Sequence, residues 1–501
     1  MSVLFVSLPN PEGIQVNRDY CGGFGSAFPM KEKVKRNIFP PIFDAYAASV
    51  LETKGVHVSI VDAQAENLRE SELLRLVETK NPEIVVARIS LPAFENDLRV
   101  MKEMKERLDS SLFVGWGSVC KVDPATVLEK SELDVTVRDE LEFTLPEIVE
   151  KASDRKDFNS IKGISFKIQE KIAHNEPRPY EKNLDSLPFP AYHLLPMAKY
   201  VASESYFFPD GSRDRFVPFF TMLASRGCSM NCLYCPYPTI FGPWRGMSPK
   251  RVVDEMEKLV NSAGIRIIWF HDQTFSMMAK QTEMLCDEII DRGLNVTWAC
   301  ETRADKLSIP LIRKMRRAGC SRIQVGIETG DPELLSKLGK RGCTVEAIEK
   351  TLGFVQEEGI LIEANFMVGL PGDSWEAVKN TAGLIRRIKP DDVAVSIATP
   401  YPGTPLLKMA KQKKWLISKN WKTYSTSDPV MNLPNFSGDD AKDAQRYLYN
   451  LAQLNINKKN IVESARKHRI PEMLGEIASA VPQFCTYLYS VLKFKIRSIQ
   501  I

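Results

Sequence analysis

The chain has 501 residues, 44% hydrophobic and 26% charged, which excludes a disordered or fibrous polymer and predicts two or three domains. Lys plus Arg total 67 and Asp plus Glu 63, a net charge of +4 that makes no global case for nucleic acid. Ten cysteines are too few for a disulfide-built secreted scaffold, yet Cys228, Cys232 and Cys235 fall inside one stretch of eight residues.

The N-terminus, MSVLFVSLPNPEG, has no basic region before its short apolar run and reads as a first strand, not a signal peptide. Further strands are predicted at His57–Val61, Glu83–Ala87, Leu112–Gly115 and Asp134–Val137. Helical patterns lie between them near 41–54, 69–80, 93–108, 124–131 and 140–152. Such β–α alternation implies a parallel sheet with helices on both faces and its ligand at the carboxyl ends of the strands. The loops concerned are Pro9–Gly25, Asp62–Glu66, Arg88–Phe94 and Gly115–Val119. No Gly-x-Gly-x-x-Gly follows the first strand, so a dinucleotide site is not supported.

Residues 153–215 break the rhythm with a hairpin pattern (Gly163–Ile168 with Lys171–His174) and a proline-rich stretch, expected to be an extended connector. A second series follows, with strands at Phe219–Ala224, Ile265–Phe270, Asn295–Cys300, Arg322–Ile327, Ile362–Val368 and Val393–Ala398. Ser248-Pro249 opens one intervening helix, and Gly264, Gly293, Gly319 and Gly359 close four. Six parallel β/α units predict a partial barrel with chemistry at its carboxyl end. Residues 410–501 read as mostly helical; Ile477–Leu492, sixteen uncharged residues interrupted by Pro482 and Gln483, falls short of a membrane span. The expected domains are 1–152, 153–215, 216–409 and 410–501, in a soluble, cytoplasmic protein.

The segment SRGCSMNCLYCPYP, residues 225–238, follows the first strand of the second series. Three thiolates on one tight loop can hold three irons of a four-iron cluster and leave the fourth open for chemistry. Zinc is the alternative, but no partner Cys or His stands nearby in the sequence to complete its four ligands.

On this Cys-x3-Cys-x2-Cys spacing, with Tyr234 before the third cysteine, the chain resembles the radical S-adenosylmethionine (SAM) superfamily. The resemblance implies a 4Fe–4S cluster on Cys228, Cys232 and Cys235, with SAM chelating the open iron. SAM cleavage would give a 5′-deoxyadenosyl radical that takes hydrogen from an unactivated carbon, with a reductant such as ferredoxin or flavodoxin. The later strands end in WFHDQTF, WACETRAD, QVGIETGD, FMVGLPGD and TPYPGTPLL. By resemblance, Asp272 is placed for the SAM amino group and Arg303 for its carboxylate. Glu328 is placed for ribose or amino group, Gly369 for adenine, and Tyr401 on the rim; Tyr234 and His271 are the catalytic candidates. Structural roles are the alternatives: a turn cap for Asp272, a salt bridge for Arg303 and Glu328, a turn for Gly369. The family pattern usually has glycine where Asn365 stands and Glu near Gly372-Asp373.

IFPPIFDAYAASVLETKG at 38–55, VDAQAENL at 61–68 and LPFPAYHLLP at 187–196 resemble the subfamily with an N-terminal, Rossmann-like cobalamin-binding domain. The implied corrin contacts are Ser90, Gly115 and Gly117, on the loops after the third and fourth strands. Two departures stand out: Gly115-Trp116-Gly117-Ser118 where the family often has Gly-Gly-x-His, and Asp139-Glu140-Leu141-Glu142 where it often has Gly-Glu-x-Glu. Cys21 is placed beside the ligand edge, as an inert thiol or a group approaching cobalt or substrate. The expected activity is C-methylation of a small-molecule, lipid or peptide substrate. Ring closure or rearrangement on an isoprenoid lipid or porphyrin is the alternative. A methylthiotransferase-like enzyme would want a second cysteine triad and a basic nucleic-acid module, and neither appears. The aromatic, aliphatic and basic C-terminus adds a peripheral membrane contact, or else an amphipathic helix packed on the barrel.

Overall fold

The computed structural model describes residues 1–20, 23–29, 38–152, 155–169, 171–211, 215–340, 342–466, 477–478, 480–489 and 491–492. Cys21, His468, Lys493, Lys495 and Arg497 lie outside the described residues.

Strands β1 (Ser2–Ser7), β2 (Ile14–Asn17), β3 (Ser26–Pro29), β4 (His57–Asp62), β5 (Ile84–Arg88), β6 (Leu112–Trp116), β7 (Val135–Val137), β8 (Ile164–Ile168) and β9 (Lys171–His174) make up the N-terminal half. Seven of them form one sheet in the order β4-β1-β5-β6-β7-β8-β9. Its first five members pair in parallel, as alternation with helices requires. The predicted hairpin is present as β8–β9 and extends this sheet through antiparallel pairing with β7. Helices α1 (Ile42–Thr53), α2 (Glu70–Lys80), α3 (Phe94–Arg107), α4 (Ser118–Val122), α5 (Pro124–Glu129) and α6 (Leu141–Glu150) cover both faces. Apolar residues of α1 and α6 join one core cluster, and those of α2, α3 and α5 join another. The loop reading of Pro9–Gly25 is corrected in part: β2 and β3 form an antiparallel ribbon there.

The connector is built of short turns, helix α7 (Glu204–Phe207), and strands β10 (Val201–Ser203) and β11 (Phe216–Pro218), which pair with each other. Next come β12 (Phe220–Met222), β13 (Ser225–Arg226), β14 (Arg245–Gly246), β15 (Ile267–Phe270), β16 (Thr297–Thr302), β17 (Cys320–Glu328), β18 (Leu361–Val368) and β19 (Asp392–Ile397). The six-stranded parallel sheet β12-β15-β16-β17-β18-β19 is the expected open barrel. Its helices are α8 (Tyr237–Phe241), α9 (Pro249–Ala263), α10 (Ala279–Asp291), α11 (Ile309–Arg317), α12 (Pro332–Lys337), α13 (Val345–Glu357), α14 (Trp375–Ile388) and α15 (Pro405–Gln412). Ser248 caps α9 by accepting the Arg251 N–H at 3.2 Å, with Pro249 at the first helical position and Gly264 left-handed at the end.

The mostly helical reading of the C-terminal region is corrected between α15 and α16 (Gly438–Arg466), where the chain runs irregularly, with one 3-10 turn at Trp421–Thr423 and isolated bridges Leu416–Met431 and Leu433–Phe436. One apolar cluster runs through both sheets, including Phe5, Ile60 and Val114 from the first and Phe220, Trp298 and Ile323 from the second. Buried polar contacts join the same halves. Arg226 pairs with Glu142, Arg245 with Glu140, and the Tyr46 hydroxyl donates to Glu255. No described helix is long and apolar enough to cross a membrane.

Candidate active site

A cavity of about 670 Å³ opens at the carboxyl end of the barrel. Cys228, Cys232 and Cys235 line it, and so do Tyr234, His271, Arg303, Glu328 and Tyr401 among the residues nominated from sequence. Asp272, Gly369, Ser90, Gly115 and Gly117 are not part of its wall.

The cysteine loop is set by local structure. Strands β13 and β14 pair at its base, the Cys228 N–H donates to Gly242 O at 3.0 Å, and the Cys235 N–H donates to Cys232 O at 3.2 Å. Gly227 has φ +77°, and a Cβ there would meet the Pro243 carbonyl oxygen at 2.2 Å, so only glycine fits. Asp272 sits behind the loop, accepting from the Ala224 N–H at 3.0 Å and from the Ser225 hydroxyl. Burial pushes its carboxyl up to about 6 against those hydrogen bonds.

All three thiols are unbridged. Among the described residues no three His, Cys, Asp or Glu close on a single metal ion. The surroundings are cationic. Arg303 Nη1 lies 3.8 Å from Cys232 Sγ, and its other nitrogens hold Asp305 at 2.8 and 3.0 Å. Burial raises the Cys232 thiol, while Lys340 and Arg303 pull it back toward thiolate. Unbridged thiols under cationic cover fit an iron–sulfur cluster by donor chemistry.

Beyond the thiols stand the groups that fit SAM. Glu328 ends β17 with φ +68°, a strained conformation for a residue with a Cβ, at a shift in strand register. Lys340 holds it at 2.6 Å and also donates to Gly326 O at 2.6 Å. The Tyr234 hydroxyl hydrogen-bonds to Glu328 as well. Asn365 Oδ1 and Gln324 Oε1 are buried on the same wall with no protein partner among the described residues. The Arg303–Glu328 bridge named as the structural alternative is not formed; Arg303 pairs with Asp305 and Glu328 with Lys340. Gly369 turns away: its N–H donates to Asp373 Oδ2 at 2.7 Å, and a Cβ would stand 3.2 Å from Ala441 of α16.

His271 packs against Phe39 with ring centroids 6.4 Å apart, and burial lowers its pKa. Tyr401 stacks on Phe24 of the N-terminal half at 5.1 Å and 13°. Glu301 belongs to the cavity wall and went unnoticed in sequence. Its carboxyl has no hydrogen-bond or ion-pair partner among the described residues, and burial with Glu363 and Asp272 nearby pushes it up to about 8. Asp305, two residues beyond Arg303, was passed over, and Lys340 and Cys343 were missed because only folding brings them near Arg303 and Cys232.

The N-terminal half meets the cavity through Asp19, Tyr20 and Ser26. Ser90 lies behind them, its hydroxyl accepting from Arg18 at 2.9 Å and donating to Asp97 at 3.1 Å. A Cβ on Gly115 would meet Leu133 at 2.6 Å, and one on Gly117 the Ile89 carbonyl at 2.9 Å, so both face the domain's own interior. The buried Ser26 hydroxyl has no partner among the described residues and lines the cavity. Asp19, Tyr20 and the unpartnered Ser26 hydroxyl are the groups of the N-terminal half that a corrin presented to the barrel would meet on this wall.

Comparison with known families agrees with this division. Residues 222–385 match the radical SAM superfamily and residues 35–149 match the B12 binding domain. An uncharacterized methyltransferase of Pyrococcus horikoshii is 32% identical over 427 residues, covering 84% of this chain and 90% of that protein. The anaerobic magnesium-protoporphyrin IX monomethyl ester cyclase of Rubrivivax gelatinosus is 27% identical over 406 residues, covering 78% and 70%. The cobalamin-dependent SAM radical enzyme OxsB, solved with aqua-cobalamin and SAM bound, shares the fold with a TM-score of 0.72 at 14% identity, over 97% of this chain and 72% of that one. The chain belongs to the radical SAM superfamily and carries a B12 binding domain. It is a radical SAM enzyme with a 4Fe–4S cluster, SAM and cobalamin as its cofactors, and such an enzyme needs a reductant and a small-molecule substrate.

Proposed function

We propose that this chain is a cobalamin-dependent radical SAM C-methyltransferase that works on an unactivated carbon of a large apolar molecule. One observation carries the reading: a single cavity runs from the three thiols to Asp19, Tyr20 and Ser26 of the N-terminal half, whose residues 35–149 match the B12 binding domain. Phe366, Met367, Val393, Val395 and Ile397 line it beside polar groups such as Gln324, Glu363, Asn365 and Ser396, which suits a largely apolar substrate held at polar anchors.

When loaded, the cluster and SAM supply a carbon-centred oxidant for hydrogen abstraction, and cobalamin supplies a methyl carrier. Cys228, Cys232 and Cys235 hold the irons, and Asp272 positions their loop. Arg303, steadied by Asp305, and Glu328, steadied by Lys340 and Tyr234, orient SAM. Asp19, Tyr20 and Ser26 hold the corrin, while Tyr401 closes the wall beside it. His271, Glu301 and Glu363 are titratable groups on the wall placed to hold a proton at the substrate. The reading includes a cytoplasmic enzyme, a ferredoxin or flavodoxin as electron donor, and contact of the C-terminal region with a membrane. Ring closure is the second reading, favoured by the likeness to the cyclase.

The test is anaerobic reconstitution with iron, sulfide, SAM, a reductant and hydroxocobalamin. Formation of 5′-deoxyadenosine with a cob(II)alamin absorption band is the expected result, and Cys232→Ala should lose both iron and turnover. An intact cluster that makes no 5′-deoxyadenosine sinks the proposal. Labelled methyl carried from SAM into product separates methylation from ring closure.

A further inference from the structure

We propose that the outer face of α15 and the turn after it, carrying Lys408, Lys411, Lys413, Lys414, Lys419 and Lys422, is the docking surface for a small acidic electron-transfer protein. The inference rests on the reading that the thiols hold a cluster that must be reduced, and it names where the electron enters. From Val393 to Ser427 the sequence has these six lysines and no Asp or Glu, although the whole chain is nearly balanced in charge. All six are exposed and none makes an ion pair among the described residues. Exposed lysines elsewhere, such as Lys337, Lys379 and Lys459, do find carboxylates. A helix C-terminus attracts cations, which accounts for Lys411 and Lys413 at the end of α15. It does not account for Lys408, a turn earlier, or for Lys419 and Lys422 beyond. Unopposed like charges repel one another, so such a patch acts on what approaches it and not on the fold.

Position selects the partner. The Leu406 N–H at the start of α15 donates to Leu233 O at 3.0 Å, and Leu406 and Ala410 belong to the apolar cluster against which Leu233 and Tyr234 pack. Leu233 stands between Cys232 and Cys235; those two thiols line the cavity and Leu233 does not. The cysteine loop thus gives its thiols to the cavity and its back to α15. Lys408 and Lys411 occupy the solvent side of that helix, away from Leu406 and Ala410. At the junction Thr239 and Gly403 are exposed and joined by a hydrogen bond of 3.2 Å. A protein seated on the lysines faces the thiols across one helix, and it leaves the cavity open, because none of the six lysines lines it.

Nucleic acid is the other polyanion, and it would want exposed rings to stack on. Trp415 and Trp421, the aromatic rings within the lysine stretch, are half-buried against the core, Trp421 on Phe94 with ring centroids 4.6 Å apart. Ile417, 52% exposed, supplies instead an apolar spot for a protein partner to cover inside a charged rim. The step is one outer-sphere electron, with no bond made or broken in this chain. With a flavoprotein donor, the anionic flavin hydroquinone becomes the neutral semiquinone as its electron passes to the oxidised cluster.

The experiment mixes the full-length, cluster-loaded protein anaerobically with flavodoxin hydroquinone and follows bleaching of the cluster by stopped flow, with flavodoxin affinity measured separately by flavin fluorescence. Wild type is expected to bind flavodoxin and to be reduced by it, both weakening as salt rises. The combined Lys408→Glu, Lys411→Glu and Lys414→Glu variant should slow that reduction by about tenfold and weaken binding. Its iron content, and its reduction by methyl viologen radical, a mediator too small to need a docking face, should match wild type. Lys379→Glu, on α14, should leave every rate unchanged. Wild type that flavodoxin hydroquinone does not reduce, a triple variant reduced as fast as wild type, or equal slowing with methyl viologen overturns the proposal. So does single-stranded oligouridylate that binds wild type at physiological salt and not the triple variant while flavodoxin reduces both alike, which would make nucleic acid the occupant. Lysine-dependent reduction by flavodoxin that is followed by no 5′-deoxyadenosine would sink the proposed function and leave the docking face standing.

Discussion

Glu301 illustrates what a single side chain inside the barrel can dictate. Its carboxyl sits on the cavity wall and is pushed up from 4.5 to about 8, with burial the largest cause. A folded-state pKa above the unfolded one means that the native chain binds the proton more tightly. The resulting stability is fully present below pH 4.5 and is lost as pH rises through 8. Glu363, pushed up to about 7, and Asp44, pushed up to about 8, act in the same direction. The urea midpoint of the cluster-loaded protein should therefore fall between pH 5 and pH 8. Glu301→Gln should flatten part of that fall and be the more stable protein at pH 8. A midpoint that rises over this range in wild type would contradict the assignment. The residue was invisible in sequence because a strand-end Glu in WACETRAD looks like any other until folding removes its solvent. The cysteine triplet was legible for the opposite reason: all its chemistry lies within one loop.

At the scale of elements, the cysteine loop depends on a second loop just over a hundred residues later. The Leu233 N–H donates to Leu338 O at 3.1 Å, and Gly339, with φ +81°, presses against the loop. A Cβ on Gly339 would lie 2.6 Å from the Asn231 carbonyl oxygen, a backbone atom that cannot swing aside. Gly339→Ala should therefore fold, show an unchanged far-ultraviolet spectrum, and retain well under half of the wild-type iron after reconstitution. Full iron content in that variant would show that the cysteine loop tolerates the displacement. The neighbouring helices and strands were readable from apolar periodicity and caps, to within a few residues. The ribbon β2–β3 was not, because strands of four residues between prolines and glycines carry too few alternations to register. The likeness that nominated Ser90 carried a loop position over, but not Arg18, which folding brings onto Ser90 and Asp97 from some seventy residues away.

For the whole molecule, the N-terminal sheet and the barrel share one apolar core and a set of buried charges. Arg226, 2% exposed, faces Glu142 at 1% and Glu140 at 10%. Removing one partner of such a buried pair leaves uncompensated charge and costs on the order of 3–5 kcal/mol. Arg226→Met should lower the urea midpoint of both halves together, with near- and far-ultraviolet dichroism moving in a single coincident transition. Two separated transitions in wild type would refute the shared core. The sequence pattern divided the chain into units, but it could not reveal this fusion, since partners such as Tyr46 and Glu255 are 209 positions apart.

The connector deserves a mechanical reading. Tyr200 donates to Asp62 at 2.9 Å, Tyr192 donates to Glu255, and the Ala191 N–H reaches Ala45 O at 3.0 Å. Those tethers make residues 187–203 a clasp, so the two sheets do not swing apart like the jaws of a hinge. A bulky guest must then be accommodated by give in the C-terminal layer, where Tyr449 stands 45% exposed. Amide exchange should accordingly be slow and uniform through both sheets, and fast only along the outer turns of α16.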